Sequence, residues 1–197
     1  WGVKRVQRMG AMVDGIRIDH FRGFAACWAI PAGARTARDG KWKPGPGIDL
    51  FRAIYKKIPN IQLIAEDLGF ITDDVCELKN KLGIPGMKIL QFHMKYRSDG
   101  RYSFDTEPNC VAYTGTHDNN TLLGWYTEEL DRYQQEQMKN SLGLEENASA
   151  EEIVWSFVSY VYSRRAKTII VPLQDVLCLP SACRMNRPGI SHGQWLW

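Results

Sequence analysis

Three acids in this 197-residue chain follow short apolar, β-branched runs. Asp19 closes residues 12–18 (MVDGIRI), Glu66 closes residues 61–65 (IQLIA), and Asp118 follows residues 110–113 (CVAY) after a Thr-Gly-Thr-His link. A strand end holds a side chain more rigidly than a loop tip, and catalysis needs that precision. Residues i and i+2 of a strand share a face, which should set Arg17 beside Asp19. A neighbouring guanidinium favours the ionised carboxylate, the form a nucleophile requires. Glu66 follows Leu63, Ile64 and Ala65 with no basic neighbour in sequence. An apolar setting with other carboxylates nearby favours the neutral form, which suits a proton donor. Two carboxyl groups in different ionisation states, facing one bond, are the apparatus for breaking a glycosidic linkage; a retaining version sets them about 5–5.5 Å apart.

Each acid taken singly also fits a blander role as helix cap or turn residue. Arg17 and Asp19 also fit a structural ion pair, Asp67 a turn and His117 a loop anchor. Trp28, Trp42, Trp125 and Tyr126 fit core or wall positions better than sugar platforms. The conjunction of three acids in strand-end context favours chemistry, because that end is the active-site face of a (β/α)₈ barrel.

The elements that must carry these acids can be read from pattern. Residues 21–47 hold Gly, Pro and aromatics without helical period and are expected as a long loop. Residues 48–58 place Ile48, Phe51 and Tyr55 on one helical side, and Pro59-Asn60 is a stop. Thr72 is expected to N-cap a helix with acids in its first turn, running to Leu82 and closed by Gly83. Residues 87–92 (MKILQF), 110–113 and 167–171 (KTIIV) read as strands, and 121 to about 140 as an amphipathic helix. Ser149-Ala-Glu-Glu fits a capping box opening a helix to about residue 165. Apolar strands alternating with helices predict an α/β chain with a parallel sheet under helices. Five such strands are found, whereas a closed barrel needs eight and roughly 250 residues. The expectation is therefore a partial (β/α)₈ TIM barrel. The opening Trp1 and the closing Gln194-Trp195-Leu196-Trp197 are expected to be cuts through a larger domain, since termini are normally frayed and polar.

Composition excludes several classes. Net charge is +3, from 25 Lys and Arg against 22 Asp and Glu, with the signs interspersed. That gives no basic stripe for nucleic acid. No run of 18 apolar residues exists, so no membrane partner is expected. The five cysteines show no C-x-x-C spacing and read as buried small hydrophobes in a reducing compartment. The four histidines show no metal-ligand spacing.

Three blocks then become specific: Arg17-Ile18-Asp19-His20-Phe21-Arg22-Gly23, Ile64-Ala65-Glu66-Asp67-Leu68-Gly69 and Gly115-Thr116-His117-Asp118-Asn119. They resemble the signature blocks of the amylomaltases, the 4-α-glucanotransferases of glycoside hydrolase family 77. Pro31-Ala32-Gly33, Gly45-Pro46-Gly47, Val171-Pro172-Leu173-Gln174-Asp175 and Arg184-Met185-Asn186-Arg187-Pro188-Gly189 extend the likeness over nearly the whole chain. The resemblance implies that Asp19 is the nucleophile, that Glu66 is the acid and base, and that Asp118 grips sugar hydroxyls at the donor site. Arg17, His117 and Asn119 would bind substrate. It implies transfer of α-1,4-glucan segments between maltooligosaccharides or amylose chains, with no cofactor and no metal. It also implies a cytoplasmic enzyme, or a plastid one in a plant. Residues 1–197 would be the C-terminal portion of the catalytic barrel, about strands 4 to 8. Five strands cannot close a barrel and leave an open edge, so the isolated segment is expected to be partly folded and inactive. An α-amylase-type hydrolase using water as acceptor is the alternative. The chain departs from the family pattern at Ala25, Cys27, Asn120, Cys178, Pro180 and Ala182, and at Gln194 in Gly193-Gln194-Trp195. Glycines are usual at 178 and 180 and acids at 120 and 182.

Overall fold

Parallel strands and covering helices run through both halves of the chain, as the alternating pattern predicts. A computed structural model describes residues 1–197, which divide into two units, residues 1–87 and 88–197.

In the first unit, β1 (Gly15–Ile18) pairs in parallel with β4 (Gln62–Ala65), with Ile18 opposite Ala65. Helices α1 (Gly2–Gly10), α3 (Gly47–Lys57) and α4 (Asp73–Leu82) accompany them, α1 packing on α3 and α3 on α4. Phe21, Phe51, Ile54, Ala65 and Val75 are fully enclosed. Phe21 and Phe24 both meet Phe51, at centroid distances of 5.5 and 5.3 Å. Each buried Phe contributes about 1.5–3 kcal/mol, so this cluster seats the turn that follows Asp19. Helix α3 lies where its period predicts. Gly83 ends α4 in the left-handed region at φ 66°, which only glycine enters cheaply.

Three expectations change here. Residues 21–47 are not a featureless loop: they hold the helical turn α2 (Arg22–Ala25) and an antiparallel hairpin, β2 (Ala26–Ala29) with β3 (Lys41–Pro44). Trp28 stands directly opposite Trp42 in that ladder, rings edge to face at 5.3 Å. The Trp28 Nε1–H donates to Ala37 O, and a Cβ on Gly40 would lie 2.3 Å from that nitrogen. Helix α1 precedes β1, whose strand starts at Gly15 rather than residue 12. Thr72 does head α4, but its hydroxyl does not cap the helix. It donates to the Asp74 carboxylate instead and accepts from both Arg22 Nη atoms at 3.0 Å.

The strand order β5 (Gly86–Ile89), β8 (Cys110–Tyr113), β9 (Thr168–Ile170) forms the second sheet. Strands β8 and β9 are parallel, with Tyr113 opposite Ile170. Beyond Ile89 the chain turns into α5 (Leu90–His93) instead of continuing as a strand to residue 92, and Leu90 enters the core. A short antiparallel pair, β6 (Lys95–Tyr96) and β7 (Tyr102–Ser103), follows. The helix expected over 121–140 is broken: α6 (Leu122–Gly124) passes into a π turn at Trp125–Glu129, and α7 (Arg132–Leu142) restarts on an Asp131–Gln134 capping box. The π turn brings consecutive rings into one core, Trp125 and Tyr126 lying 5.6 and 5.9 Å from Phe157. Both are core residues, as their sequence context suggests. Helix α8 (Ala150–Tyr162) opens on the predicted Ser149–Glu152 box and ends before residue 165. The helical turn α9 (Leu173–Val176) follows β9.

Candidate active site

In the first unit, two of the expected acids leave neighbouring strands at one level. Because Ile18 pairs with Ala65, Asp19 and Glu66 are the next residues beyond the ladder, and Glu66 N–H still donates to Ile18 O at 3.0 Å. The Arg17 Nη2 lies 2.9 Å from Asp19 Oδ1, the ion pair that i, i+2 spacing predicts, while Arg17 Nε–H points to Met87 Sδ at 3.4 Å. The Asp19 carboxylate is open to solvent.

Glu66 sits differently from the apolar box expected of it. Its Oε2 accepts from His20 N–H at 2.7 Å and its Oε1 from Leu68 N–H at 3.0 Å. Two backbone donors fix the plane of the carboxyl group. His20 has φ 46°, a left-handed conformation that a non-glycine residue adopts only when its surroundings enforce it.

Asp67 proves to be more than a turn residue. Its Oδ2 meets Lys79 Nζ at 2.6 Å and its Oδ1 accepts from Met87 N–H at 2.7 Å, both side chains being largely buried. It thereby ties the end of β4 to α4 and to β5. A Cβ on Gly86 would collide with the Asp67 carboxylate, so a side chain there must displace it. The Arg22 guanidinium carbon lies over the Trp42 ring, 4.2 Å from its centre. Trp28 and Trp42 are about half exposed, so they form a wall and not a core.

In the second unit, Asp118 follows β8 and is held by residues distant in sequence. Asn186 Nδ2 donates to Asp118 Oδ1 at 2.6 Å, and Arg184 Nη2 donates to the Asp118 carbonyl at 3.0 Å. His117 Nε2 is 3.2 Å from Asp118 Oδ2, and its ring packs 5.2 Å from Trp195. Arg184 and Asn186 belong to the block 184–189, which carries the family likeness but offers no sign in sequence that it reaches Asp118. Asn119 is buried: its Oδ1 accepts from Thr116 N–H at 2.9 Å and from the Thr116 hydroxyl at 2.8 Å.

A cavity of about 310 Å³ lies here, lined among others by His117, Asn119, Gln174, Asp175, Arg184 and Trp197. That is within the range of small-ligand sites. Gln174, one of the lining residues, has a buried Nε2 with no hydrogen-bond partner. No three His, Cys, Asp or Glu side chains stand close enough to hold a metal ion.

Several departures from the family pattern acquire a structural account. Asn120 Nδ2 donates to Glu129 Oε1 and to Ser181 Oγ, both at 2.9 Å, and the first is a contact that a carboxylate, having no proton to donate, could not make. Pro180 sits at φ −75°, the angle its ring imposes. Gln194 Oε1 accepts from Arg187 N–H at 2.6 Å. Cys178 is less comfortable: it occupies φ 53°.

The chain belongs to the 4-alpha-glucanotransferase family, which it matches over residues 1–197. It is 44% identical over 198 residues to the chloroplastic/amyloplastic 4-alpha-glucanotransferase of Arabidopsis thaliana, and 43% identical to the 4-alpha-glucanotransferase of Streptococcus pneumoniae. Each alignment takes in the whole of this chain, and 34% and 39% of those proteins. The amylomaltase from Streptococcus agalactiae, solved in complex with acarbose, superposes with a TM-score of 0.84 at 35% identity, covering all of this chain and 39% of that one. The amylomaltase of Corynebacterium glutamicum shares the fold, with a TM-score of 0.72 at 18% identity, over 98% of this chain and 32% of that one. The chain thus spans 32–39% of the length of these relatives. Its mixed α/β fold is that of the matching part of an amylomaltase.

Proposed function

We propose that the protein transfers α-1,4-glucan segments from one maltooligosaccharide or starch chain to the 4-hydroxyl of another glucan or of glucose, by a retaining double displacement. In this reading, residues 1–197 are the C-terminal portion of a TIM-barrel catalytic domain, about strands 4 to 8. The observation that carries it is the register of β1 and β4, which sends Asp19 and Glu66 out of adjacent parallel strands at one level.

Asp19, steadied by Arg17, attacks the anomeric carbon, and the glycosidic C–O bond breaks as the new C–O bond forms. Glu66 gives its proton to the departing 4-oxygen. An acceptor 4-hydroxyl then attacks the glucosyl-enzyme, returning its proton to Glu66 and releasing Asp19. Asp118, with His117, Arg17 and Asn119, grips donor-sugar hydroxyls and strengthens that grip as the ring flattens. The side chains suited to this work are carboxylates and hydrogen-bond donors, and no step calls on a cofactor. The acarbose bound by the Streptococcus agalactiae relative supports a glucan-like ligand here.

No helix is long and apolar enough to cross a membrane. Plant relatives carry plastid names, and we place a bacterial version of this chain in the cytoplasm and a plant version in the plastid.

Incubation of the full-length protein, expressed from its complete reading frame, with maltotriose tests the reading. Transfer produces longer maltooligosaccharides together with glucose. Shortening alone would assign the α-amylase-type reaction, in which water is the acceptor.

A further inference from the structure

We infer that Asp175 is a positioning residue for Asp118, clamping both ends of the segment 115–121 that carries His117, Asp118 and Asn119. The inference rests on the reading of Asp118 as a group that holds the donor sugar.

The clamp is symmetrical. Asp175 Oδ2 accepts from the Thr114 hydroxyl at 2.6 Å, and Asp175 Oδ1 accepts from Leu122 N–H at 2.6 Å. Thr114 is the last residue before the segment and Leu122 the first after it, so one carboxylate grips the entry and the exit of the loop. Asp175 itself stands in α9 just beyond β9, the strand that pairs with β8. The end of one strand thus braces the loop leaving its neighbour.

The interior of the segment is already stiff. Asn119 closes it on Thr116, Gln91 Nε2 donates to Asn120 O at 2.9 Å, and Asn120 reaches Ser181. A Cβ on Gly115 would lie 2.9 Å from Gln91 Nε2, so the loop also lies close on its support. A stiff loop fails by tilting as a body, and its two ends are where tilt is resisted.

The residue type also needs explaining. Asp175 is 1% exposed, and burial pushes its carboxyl up from the ordinary aspartate range, against the opposing bonds from Thr114 and Leu122. A buried carboxylate is a costly way to fill space. Two acceptor oxygens aimed at two donors are what only a carboxylate supplies. An amide at this place satisfies Leu122 N–H with its oxygen and then turns an NH₂ toward the Thr114 hydroxyl, which must reverse from donor to acceptor. Asp175 touches Asp118 only through the loop, so its effect is on aim.

The test uses Asp175→Asn and Thr114→Val in the protein expressed from its full reading frame, assayed on maltotriose well below the unfolding temperature. Misplacement of a binding group by about 1 Å costs on the order of a hundredfold. We expect kcat per folded molecule to fall about ten- to a hundredfold, with KM moving by less than about threefold. In an Asp118→Asn background, where there is no carboxylate left to aim, Asp175→Asn should change acarbose affinity by less than about twofold, against about tenfold in the parent. Wild-type kcat per folded molecule with only a lowered unfolding temperature would overturn the inference, as would equal losses of acarbose affinity in both backgrounds. Should Asp175→Asn not fold, Thr114→Val carries the same two readouts. A parent enzyme that does not lengthen maltotriose defeats the transferase reading; an active parent with variants at the parental rate defeats the clamp alone.

Discussion

Glu66 accepts a 2.7 Å hydrogen bond from the backbone N–H of His20, the residue that follows Asp19. The carboxyl proposed to move the proton is therefore tied to the peptide unit that carries the proposed nucleophile. The main chain couples the two strand ends as well, Glu66 N–H donating to Ile18 O and Phe21 N–H to Glu66 O, each at 3.0 Å. His20 accepts a left-handed conformation in the same turn.

Replacement of Asp19 by Asn keeps the shape of the side chain and removes the charge that attacks. Transfer from maltotriose should fall by more than about a hundredfold, since a covalent step is lost. Affinity for maltoheptaose, measured by calorimetry, should stay within a few-fold. Retained turnover would remove Asp19 from the nucleophile role.

Gly86→Ala should destabilise the protein by about 1–3 kcal/mol, because its Cβ meets the Asp67 carboxylate. Asp67→Ala strands Lys79 in a largely buried place and should cost about 3–5 kcal/mol. Urea denaturation measures both, and a pair of neutral results would show that this junction of β4, α4 and β5 is soft.

Cys178→Gly should raise stability by up to about 1 kcal/mol, since φ 53° suits glycine and strains cysteine. The lost packing of a partly buried side chain on the second core offsets part of that gain. A thermal melt of the variant reads the sign directly, and a lower melting temperature would mean that the sulfur packs better than the backbone strain costs.

Glu152 is held below the ordinary glutamate range by the Ser149 backbone N–H and then by the Ser149 hydroxyl. A lowered folded-state value means the carboxylate stabilises the protein above its unfolded-state value, and that this contribution disappears as pH falls through the folded one. Glu152→Gln should therefore lower the melting temperature at neutral pH, and the difference should close as pH drops below 4.5. Ser149→Ala removes the other half of the box and should cost about 1 kcal/mol at neutral pH, and less in acid, where its hydroxyl no longer meets a carboxylate.

What the amino-acid order revealed was mostly local. Strand β8 has the bounds its apolar run predicts, Ser149 caps α8 through a box spelled out in four residues, and Arg17 meets Asp19 by strand periodicity. The hairpin was hidden because four-residue strands leave little periodicity and their register is set by Trp28 meeting Trp42. The π turn was hidden because it answers to Phe157, a residue of another helix. The holders of Asp118 were hidden for the same reason: Arg184 and Asn186 lie 66 and 68 residues further on, and no local pattern joins them to it.

The Trp28–Trp42 hairpin has a consequence outside chemistry. Two indole chromophores 5.3 Å apart and steeply inclined have transition dipoles that couple, and their far-ultraviolet circular dichroism carries a split signal distinct from that of helix or strand. The hairpin opens at Ala26, in the stretch of chain that follows Asp19, so that optical signal reports whether this stretch is folded without any sugar being turned over.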